Sequence, residues 1–128
     1  PNEVFMAIKK FRFKMLHHRF KTKENKQLYD WYCSSLINRY VLLPSGEVTF
    51  QHCGNPSGQV STTMDNNMVN IFLQAFEFAH MRPNIPISDL WSMWQKTDTL
   101  VYGDDRLSVY HDLPQNYTEQ VVEMYKTI

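Results

Sequence analysis

Residues 99–110, with the sequence TLVYGDDRLSVY, decide the fold. Two apolar runs flank Gly103-Asp104, and a two-residue turn between such runs is typical of a β-hairpin. Glycine at the first turn position supplies the positive φ angle that the turn needs, and this register sets Leu100 opposite Leu107. The hairpin therefore presents two adjacent carboxylates, Asp104 and Asp105, at its tip.

The two carboxylates at this tip have two interpretations. They repel each other unless a cation neutralises them, and hard oxygen ligands suit Mg²⁺, with Mn²⁺ as the alternative. Two such ions can clamp the attacking and leaving oxygens of a nucleotidyl transfer. Asp and Gly are also common turn residues, so an ordinary solvated turn explains Gly103-Asp104-Asp105 equally well when this tripeptide is taken alone.

A second motif lies upstream, in residues 54–70, GNPSGQVSTTMDNNMVN. Its pattern S-G-x-x-x-T-x-x-x-N is formed by Ser57, Gly58, Thr62 and Asn66. The last two are four positions apart and fall on one face of a helix. A hydroxyl and an amide there can recognise a ribose through its 2′-OH. The alternative is helix capping, because an acidic residue, Asp65, follows Thr62 by three positions.

The remaining chain alternates helical and strand patterns, which predicts an α+β fold with helices packed on a small antiparallel sheet. In the helix that follows the second motif, the apolar positions from Met64 to Ala79 predict the buried stripe. The predicted helices cover residues 2–22, 27–39, 62–81, 87–97 and 117–128, residues 22–26 form a polar connector, and residues 40–43 and 47–50 form a first hairpin.

Composition excludes several classes of protein. The 128 residues are 43% hydrophobic and 14% aromatic with no net charge. The chain therefore has enough apolar residues to form a packed core, and disorder is not expected. Two cysteines can form at most one disulfide bond, which is too few for a small fold that depends on disulfides. No apolar run is long enough to span a membrane. Residues 1–26 hold eight basic and two acidic side chains. The basic, Phe-containing stretch 9–26 could contact RNA phosphates, although a solvated helix face is the favoured interpretation.

The order of the two motifs resembles motifs B and C in the palm of viral RNA-dependent RNA polymerases. Gly58 precedes Asp104 by 46 residues, and the combination is far more specific than either motif alone. The sequence of residues 54–70, LQAFEFA at 73–79 and VYGDDRLS at 101–108 is similar to the astrovirus polymerase. The resemblance extends to AIKKFR near the start and VEMYKTI at the end, and so covers essentially the whole chain.

This resemblance implies a function and a set of roles. The family adds ribonucleoside triphosphates to a nascent strand on an RNA template, with Mg²⁺ (or Mn²⁺), in replication complexes of the host cytoplasm. Asp104 would be the principal metal ligand and Asp105 an auxiliary one. Asn66, helped by Thr62 and Ser57, would recognise the ribose, and Gly58 would give its loop mobility.

The same resemblance indicates that residues 1–128 are part of a palm-centred catalytic domain of a right-hand polymerase, with motif B at 54–70 and motif C at 99–110. No residue matches the aspartates of motif A or the lysine of motif D, and the chain starts without Met and ends within a predicted helix. We expect a fragment that is inactive alone and depends on the remaining polymerase segments. Two alternatives stay open: a reverse transcriptase-type palm and a non-catalytic RNA-binding module.

Overall fold

The computed structural model describes residues 1–127 of the chain. Over this range it has five α-helices, one short 3₁₀ helix and two antiparallel sheets of two strands each. The α+β class is therefore confirmed, but the strands form two separate hairpins instead of one small sheet. Each strand pairs with the neighbour that a tight turn brings to it. The chain divides into two compact units, Pro1–Val69 and a second unit that begins at Asn70.

The first unit contains two helices, a hairpin and the start of a third helix. Its elements are α1 Asn2–Met15, the 3₁₀ helix His18–Phe20, α2 Lys23–Ile37, β1 Arg39–Leu42, β2 Val48–Gln51 and the first residues of α3 Thr62–His80. The helix predicted over 2–22 is too long: α1 ends at Met15, and the next residue, Leu16, has an extended backbone. The predicted connector is wrong in part: Thr22 Oγ1 accepts a hydrogen bond from Asn25 N at 3.2 Å, which caps α2 and starts it at Lys23.

The second unit holds the rest of α3, then α4 Ile87–Trp94, β3 Asp98–Tyr102, β4 Asp105–Val109 and α5 Tyr117–Lys126. The predicted register is confirmed, with Leu100 opposite Leu107. The helix predicted over 117–128 is observed to Lys126, and Ile128 lies outside the described residues.

Helix α3 buries the face that was predicted to be exposed. Met64 is 58% exposed and Ile71 is 45% exposed, so the predicted apolar stripe is wrong. The buried positions are instead mostly polar, each at most 8% exposed: Asp65, Asn70, Gln74, Glu77 and Phe78. Burial of these groups is tolerated because every one of the four polar side chains is hydrogen-bonded.

Both hairpins have one exposed apolar face. Cross-strand pairs alternate between the two faces of a hairpin, so one face of each collects the large apolar side chains. On the first hairpin these are Tyr40, Leu42, Val48 and Phe50, and on the second they are Leu100, Tyr102, Leu107 and Val109, all between 46% and 78% exposed. Across residues 1–127, none of the helices has the length and apolar character needed to cross a bilayer.

Candidate active site

The tip of the β3–β4 hairpin carries the two candidate metal-binding carboxylates. Tyr102 pairs with Asp105, so Gly103 and Asp104 form the two-residue turn. Gly103 has φ +65°, and Asp104 is not among the residues with positive φ, which fits a turn of type II′. Asp104 and Asp105 are both exposed. A short, hydrogen-bonded hairpin thus projects two neighbouring carboxylates into solvent.

The side chain of Asn70, on α3, holds the backbone of this turn from beneath. Its Nδ2 lies 3.2 Å from the carbonyl oxygen of Gly103, 3.0 Å from that of Asp104 and 3.4 Å from that of Asp105. An amide nitrogen carries two hydrogens, so two N–H bonds are shared among three carbonyls. Asn70 is 8% exposed. The backbone beneath both carboxylates is therefore anchored to a helix by one buried side chain.

Gln74, one turn further along α3, orients Asn70 and fastens the hairpin strands. Its Nε2 donates to Asn70 Oδ1 at 3.0 Å, which directs the Nδ2 group of Asn70 toward the turn. Its Oε1 accepts from Thr99 Oγ1 at 3.0 Å and from Ser108 Oγ at 2.8 Å. Thr99 and Ser108 are a cross-strand pair, so Gln74 contacts both strands at one level of the ladder.

Glu77, three residues after Gln74 on α3, joins β4 to α5. The Arg106 guanidinium donates to the Glu77 carboxylate through its two terminal nitrogens, Nη1 and Nη2, at 3.1 and 2.7 Å. The hydroxyls of Tyr117 and Tyr125 donate to the same carboxylate at 2.8 and 2.9 Å. Burial, and then the hydrogen bond to Glu77, raise the pKa of both tyrosines. The hydrogen bonds that Arg106 donates to Glu77 also raise the pKa of Arg106.

The ribose-recognition residues predicted in motif B lie in the first unit, where they are bound to their own loop. Thr62 Oγ1 lies 2.7 Å from Pro56 O and 3.0 Å from Gln59 O. Asn66 Oδ1 accepts from Asn55 Nδ2 at 2.8 Å. The capping interpretation is wrong, because the Thr62 hydroxyl donates to loop carbonyls and the Asp65 backbone N–H is bonded to Ser61 O instead.

The other two predicted motif B residues form the exposed part of the same loop. Ser57 and Gly58 are exposed, and Gly58 has φ +80°. This conformation is strained for any residue with a Cβ, which is the structural reason for a glycine there.

Asp65 is the centre of a buried cluster that sequence reasoning did not assign to any role. It is fully buried, with Oδ2 at 2.6 Å from Lys9 Nζ and at 2.9 Å from Ser61 Oγ. Arg12 binds its second oxygen, and Gln59 Nε2 lies 3.0 Å from Oδ2. Burial alone would raise the pKa of this carboxyl, but the hydrogen bonds from Lys9, Arg12, Ser61 and Gln59 outweigh it and lower the pKa.

The same cluster corrects one assumption about the basic stretch 9–26. Lys9 is 1% exposed and does not belong to a solvated face, whereas Phe11 and Phe20 are 51% and 45% exposed. The aromatics in this stretch are therefore not all in the core.

A sequence signal for the polar face of α3 exists in retrospect. Thr62, Asn66, Asn70 and Gln74 follow one another at intervals of four, which places four uncharged polar side chains along one side of the helix. Hydropathy values predict that such a row faces solvent, because they take no account of the hydrogen-bond partners that the hairpin and the loop provide.

The donor set at the hairpin tip fits a divalent cation in part. Asp104 and Asp105 supply hard carboxylate oxygens at an exposed, anchored position, as Mg²⁺ sites that also use substrate phosphates require. Among residues 1–127 there is no group of three or more His, Cys, Asp or Glu side chains suited to hold an ion. Asp104 and Asp105 are therefore two candidate ligands for such an ion.

Comparison with known proteins places this chain in a family. The family model of viral RNA-dependent RNA polymerases matches residues 2–128, and the chain belongs to that family. It is similar to the non-structural polyprotein 1AB of Mink astrovirus 1, with 53% identity over 128 residues. It is also 52% identical to the corresponding polyprotein of Ovine astrovirus 1 and 43% identical to that of Turkey astrovirus 1.

The three alignments cover 100% of this chain but only 9%, 10% and 8% of the respective polyproteins. The chain thus spans about a tenth of the length of the curated relatives that it matches. No solved structure matches the chain significantly.

Proposed function

We propose that this chain is the palm segment of an astrovirus-type RNA-directed RNA polymerase, carrying the loop that selects the nucleotide and two of the carboxylates that bind metal. The intact polymerase would add ribonucleotides to a nascent strand on an RNA template, with release of pyrophosphate. The observation that carries the proposal is the exposed pair Asp104 and Asp105, at a hairpin tip whose backbone is anchored by Asn70.

In this proposal Asp104 is the principal metal ligand and Asp105 the auxiliary one. Mg²⁺, or Mn²⁺, would supply charge neutralisation at the triphosphate and activation of the attacking 3′ hydroxyl. Asn70 would hold the backbone of the two ligands in place through the three carbonyl contacts of its Nδ2 group. The exposure of both carboxylates supports this assignment, since the remaining ligands must reach them from outside the segment.

The loop of motif B would recognise the sugar of the incoming nucleotide. Asn66 and Thr62 already have fixed positions, since Asn55 and the carbonyls of the loop bind them. Ser57 and Gly58 lie at the exposed part of the loop, where a nucleotide can approach. A rigid helix base with an exposed glycine above it suits a loop that must select a substrate and then move for the next cycle.

The partners of this segment follow from the same assignment. They are the RNA template and the nascent strand, ribonucleoside triphosphates, and the polymerase segments that supply the remaining carboxylate, the general acid and the thumb. The site of action would be the viral replication complexes of the host cytoplasm. The segment alone is predicted to be inactive, because it lacks the motif A aspartates.

The decisive experiment is Asp104→Asn in the intact polymerase. We expect nucleotide incorporation on an RNA template to be abolished, because a metal ligand acts on the chemical step, while RNA binding stays close to that of the unmodified enzyme. Asp112→Asn is the matched control, since Asp112 is an exposed carboxylate in the loop after β4 and keeps its backbone contact with Arg82. Near-normal turnover in Asp104→Asn would contradict the metal role.

A second variant, Asn66→Ala, separates the proposed activity from its two alternatives. An RNA polymerase should lose part of its preference for ribo- over deoxyribonucleotides when this amide is removed. An intact enzyme that already favours deoxyribonucleotides would instead be a reverse transcriptase. An intact protein that binds RNA but incorporates neither kind of nucleotide would be a non-catalytic RNA-binding module.

A further inference from the structure

The strongest unassigned feature is the buried polar row of α3 beneath the hairpin. Asn70, Gln74 and Glu77 are each at most 8% exposed, and their side chains bind, respectively, the carbonyls of the turn, the hydroxyls of the Thr99–Ser108 pair and the guanidinium of Arg106. Burying three polar side chains in one row costs free energy that an apolar face would not. Because every one of these side chains is hydrogen-bonded, the row can hold the groups that it contacts in one arrangement.

We propose that Asn70 is a positioning residue that sets the geometry of the Asp104–Asp105 turn, and that Gln74 keeps its amide in the required orientation. The proposal rests on the function proposed above. Strand pairing constrains the backbone up to Tyr102 and from Asp105 onward, and the two turn residues lie outside the paired register. The Nδ2 group of Asn70 ties this turn to α3, because it is within 3.4 Å of the carbonyl oxygens of residues 103, 104 and 105.

The orientation of the Asn70 amide is determined by an ordered chain of donors and acceptors. If the amide were rotated by 180°, its Oδ1 would face three carbonyl oxygens and its Nδ2 would face the Nε2 donor of Gln74. The turn carbonyls can only accept, so they require the Nδ2 group of Asn70, and the Nε2 donor of Gln74 meets its Oδ1. The Oε1 of Gln74 then faces Thr99 and Ser108, whose hydroxyls donate to it.

This arrangement predicts a division between chemistry and substrate binding. Displacing the turn moves both carboxylates relative to the ligands from the rest of the enzyme, and displacement by about 1 Å can cost about 10²-fold in rate. The turn does not belong to the loop proposed to read the ribose. We therefore expect Asn70→Leu to lower kcat by about 10- to 100-fold and to leave the KM for ribonucleotides nearly unchanged.

The test uses the intact polymerase with Asn70→Leu and has a readout that needs neither metal nor activity. In the metal-free enzyme, backbone amides of residues 103–106 should exchange hydrogen about tenfold faster than in the unmodified protein. With Mn²⁺ as the probe, the concentration needed for half-maximal incorporation should rise, because the two carboxylates are no longer held at a fixed spacing. Asn84→Leu, which replaces an exposed amide just after α3, should change none of these quantities.

Two further variants distinguish positioning from a merely structural role. Gln74→Glu keeps the acceptors for Thr99 and Ser108 but removes the donor that orients Asn70, so it should reproduce the faster exchange and lower kcat even if Asn70→Leu fails to fold. Phe78→Leu weakens the core contact with Trp94, whose ring centroid is 5.4 Å away, and should lower the thermal midpoint without changing the Mn²⁺ requirement.

Three results would overturn the proposal. The first is unchanged exchange at 103–106 in Gln74→Glu. The second is an unchanged Mn²⁺ requirement in a folded Asn70→Leu enzyme. The third is a Phe78→Leu enzyme that shows the same kcat and Mn²⁺ changes as Asn70→Leu, since the effect would then be general loss of stability. Failure of the proposed function is a separate result, which would appear as retained turnover in Asp104→Asn. Hydrogen exchange at residues 103–106 would still show whether Asn70 holds the turn.

Discussion

Lys9 and Asp65 are 56 positions apart in the chain and form a buried ion pair, with Nζ 2.6 Å from Oδ2 and side chains that are 1% and 0% exposed. The pair joins α1 to α3 next to residues 54–61, the loop at the start of the predicted motif B, called the motif B loop below. Ser61 and Gln59, both from that loop, also contact the Asp65 carboxylate. The loop is therefore anchored by electrostatics at its end, while Ser57 and Gly58 remain exposed.

Removing one member of this pair should destabilise the first unit strongly. Lys9→Met leaves a buried carboxylate with one cationic partner fewer, and the loss expected for a broken buried pair is about 3–5 kcal/mol. Hydrogen-exchange protection of α1 and α3 amides in the intact polymerase measures this local free energy. Lys26→Met breaks the exposed i,i+4 pair with Asp30 and should cost only about 0.5 kcal/mol. Equal losses in the two variants would contradict the assignment.

The same carboxylate should make stability dependent on acidic pH. Its pKa is lowered from the ordinary value of 3.8, so the folded state binds the proton more weakly than the unfolded state. The stabilisation is then present above the unfolded value and is lost as the pH falls through 3.8 toward the folded value. Thermal midpoints measured from neutral pH downward should fall more steeply in the unmodified enzyme than in Asp65→Asn. Parallel profiles for the two proteins would disprove the linkage.

Removing either tyrosine hydroxyl from Glu77 should weaken the attachment of α5. Tyr117→Phe and Tyr125→Phe each remove one hydrogen bond to a buried carboxylate, which should cost about 1–2 kcal/mol because the tyrosines are partly exposed. Both pKa values are raised above the ordinary 10.0, so this stabilisation is complete below that pH and decreases as the pH rises above it. Hydrogen exchange of α5 amides measures the loss, and phenolate absorbance follows the titration. Tyr40→Phe, at an exposed position of β1, is the control.

Gly58 and Gly46 offer a matched pair of substitutions. Both have positive φ, +80° and +87°, and a Cβ at either position would meet no atom within 4 Å. Alanine should therefore cost each site about 1 kcal/mol of backbone strain, with no steric clash. If the motif B loop must move during each cycle, only Gly58→Ala should lower the rate of nucleotide addition, and steady-state incorporation by the two variants measures this. An equal decrease in both would remove the functional argument for Gly58.

The local features of the fold could be predicted from the sequence. The register of β3–β4 follows from the two-residue Gly-Asp turn. The start of α3 at Thr62 follows from the preceding residues, whose composition is typical of a loop as far as Ser61. Both depend on interactions between residues that are close in the chain. The end of α1 was not predicted, because the helix was expected to run to residue 22 and ends at Met15.

The buried face of α3 could not be predicted in this way. Hydropathy ranks Asn70, Gln74 and Glu77 as solvent-facing, since it measures transfer of a side chain without its partners. Their partners are the turn carbonyls and the side chains of Arg106, Tyr117 and Tyr125, which come from residues 29–48 positions later. Only the long-range pairing of these groups makes their burial favourable, and the interval of four between polar residues shows that they share a face without showing that the face is buried.

The exposed apolar faces of the two hairpins have a practical consequence. Leu100 and Leu107 are 71% and 70% exposed on one strand pair, and Tyr40 is 78% exposed on the other. Two-stranded ribbons with unpaired edges and an uncovered hydrophobic face are templates for intermolecular strand pairing. A recombinant segment with these boundaries should aggregate in a concentration-dependent manner. Solubility during expression would then depend on producing the segment as part of a longer polymerase chain that covers these faces.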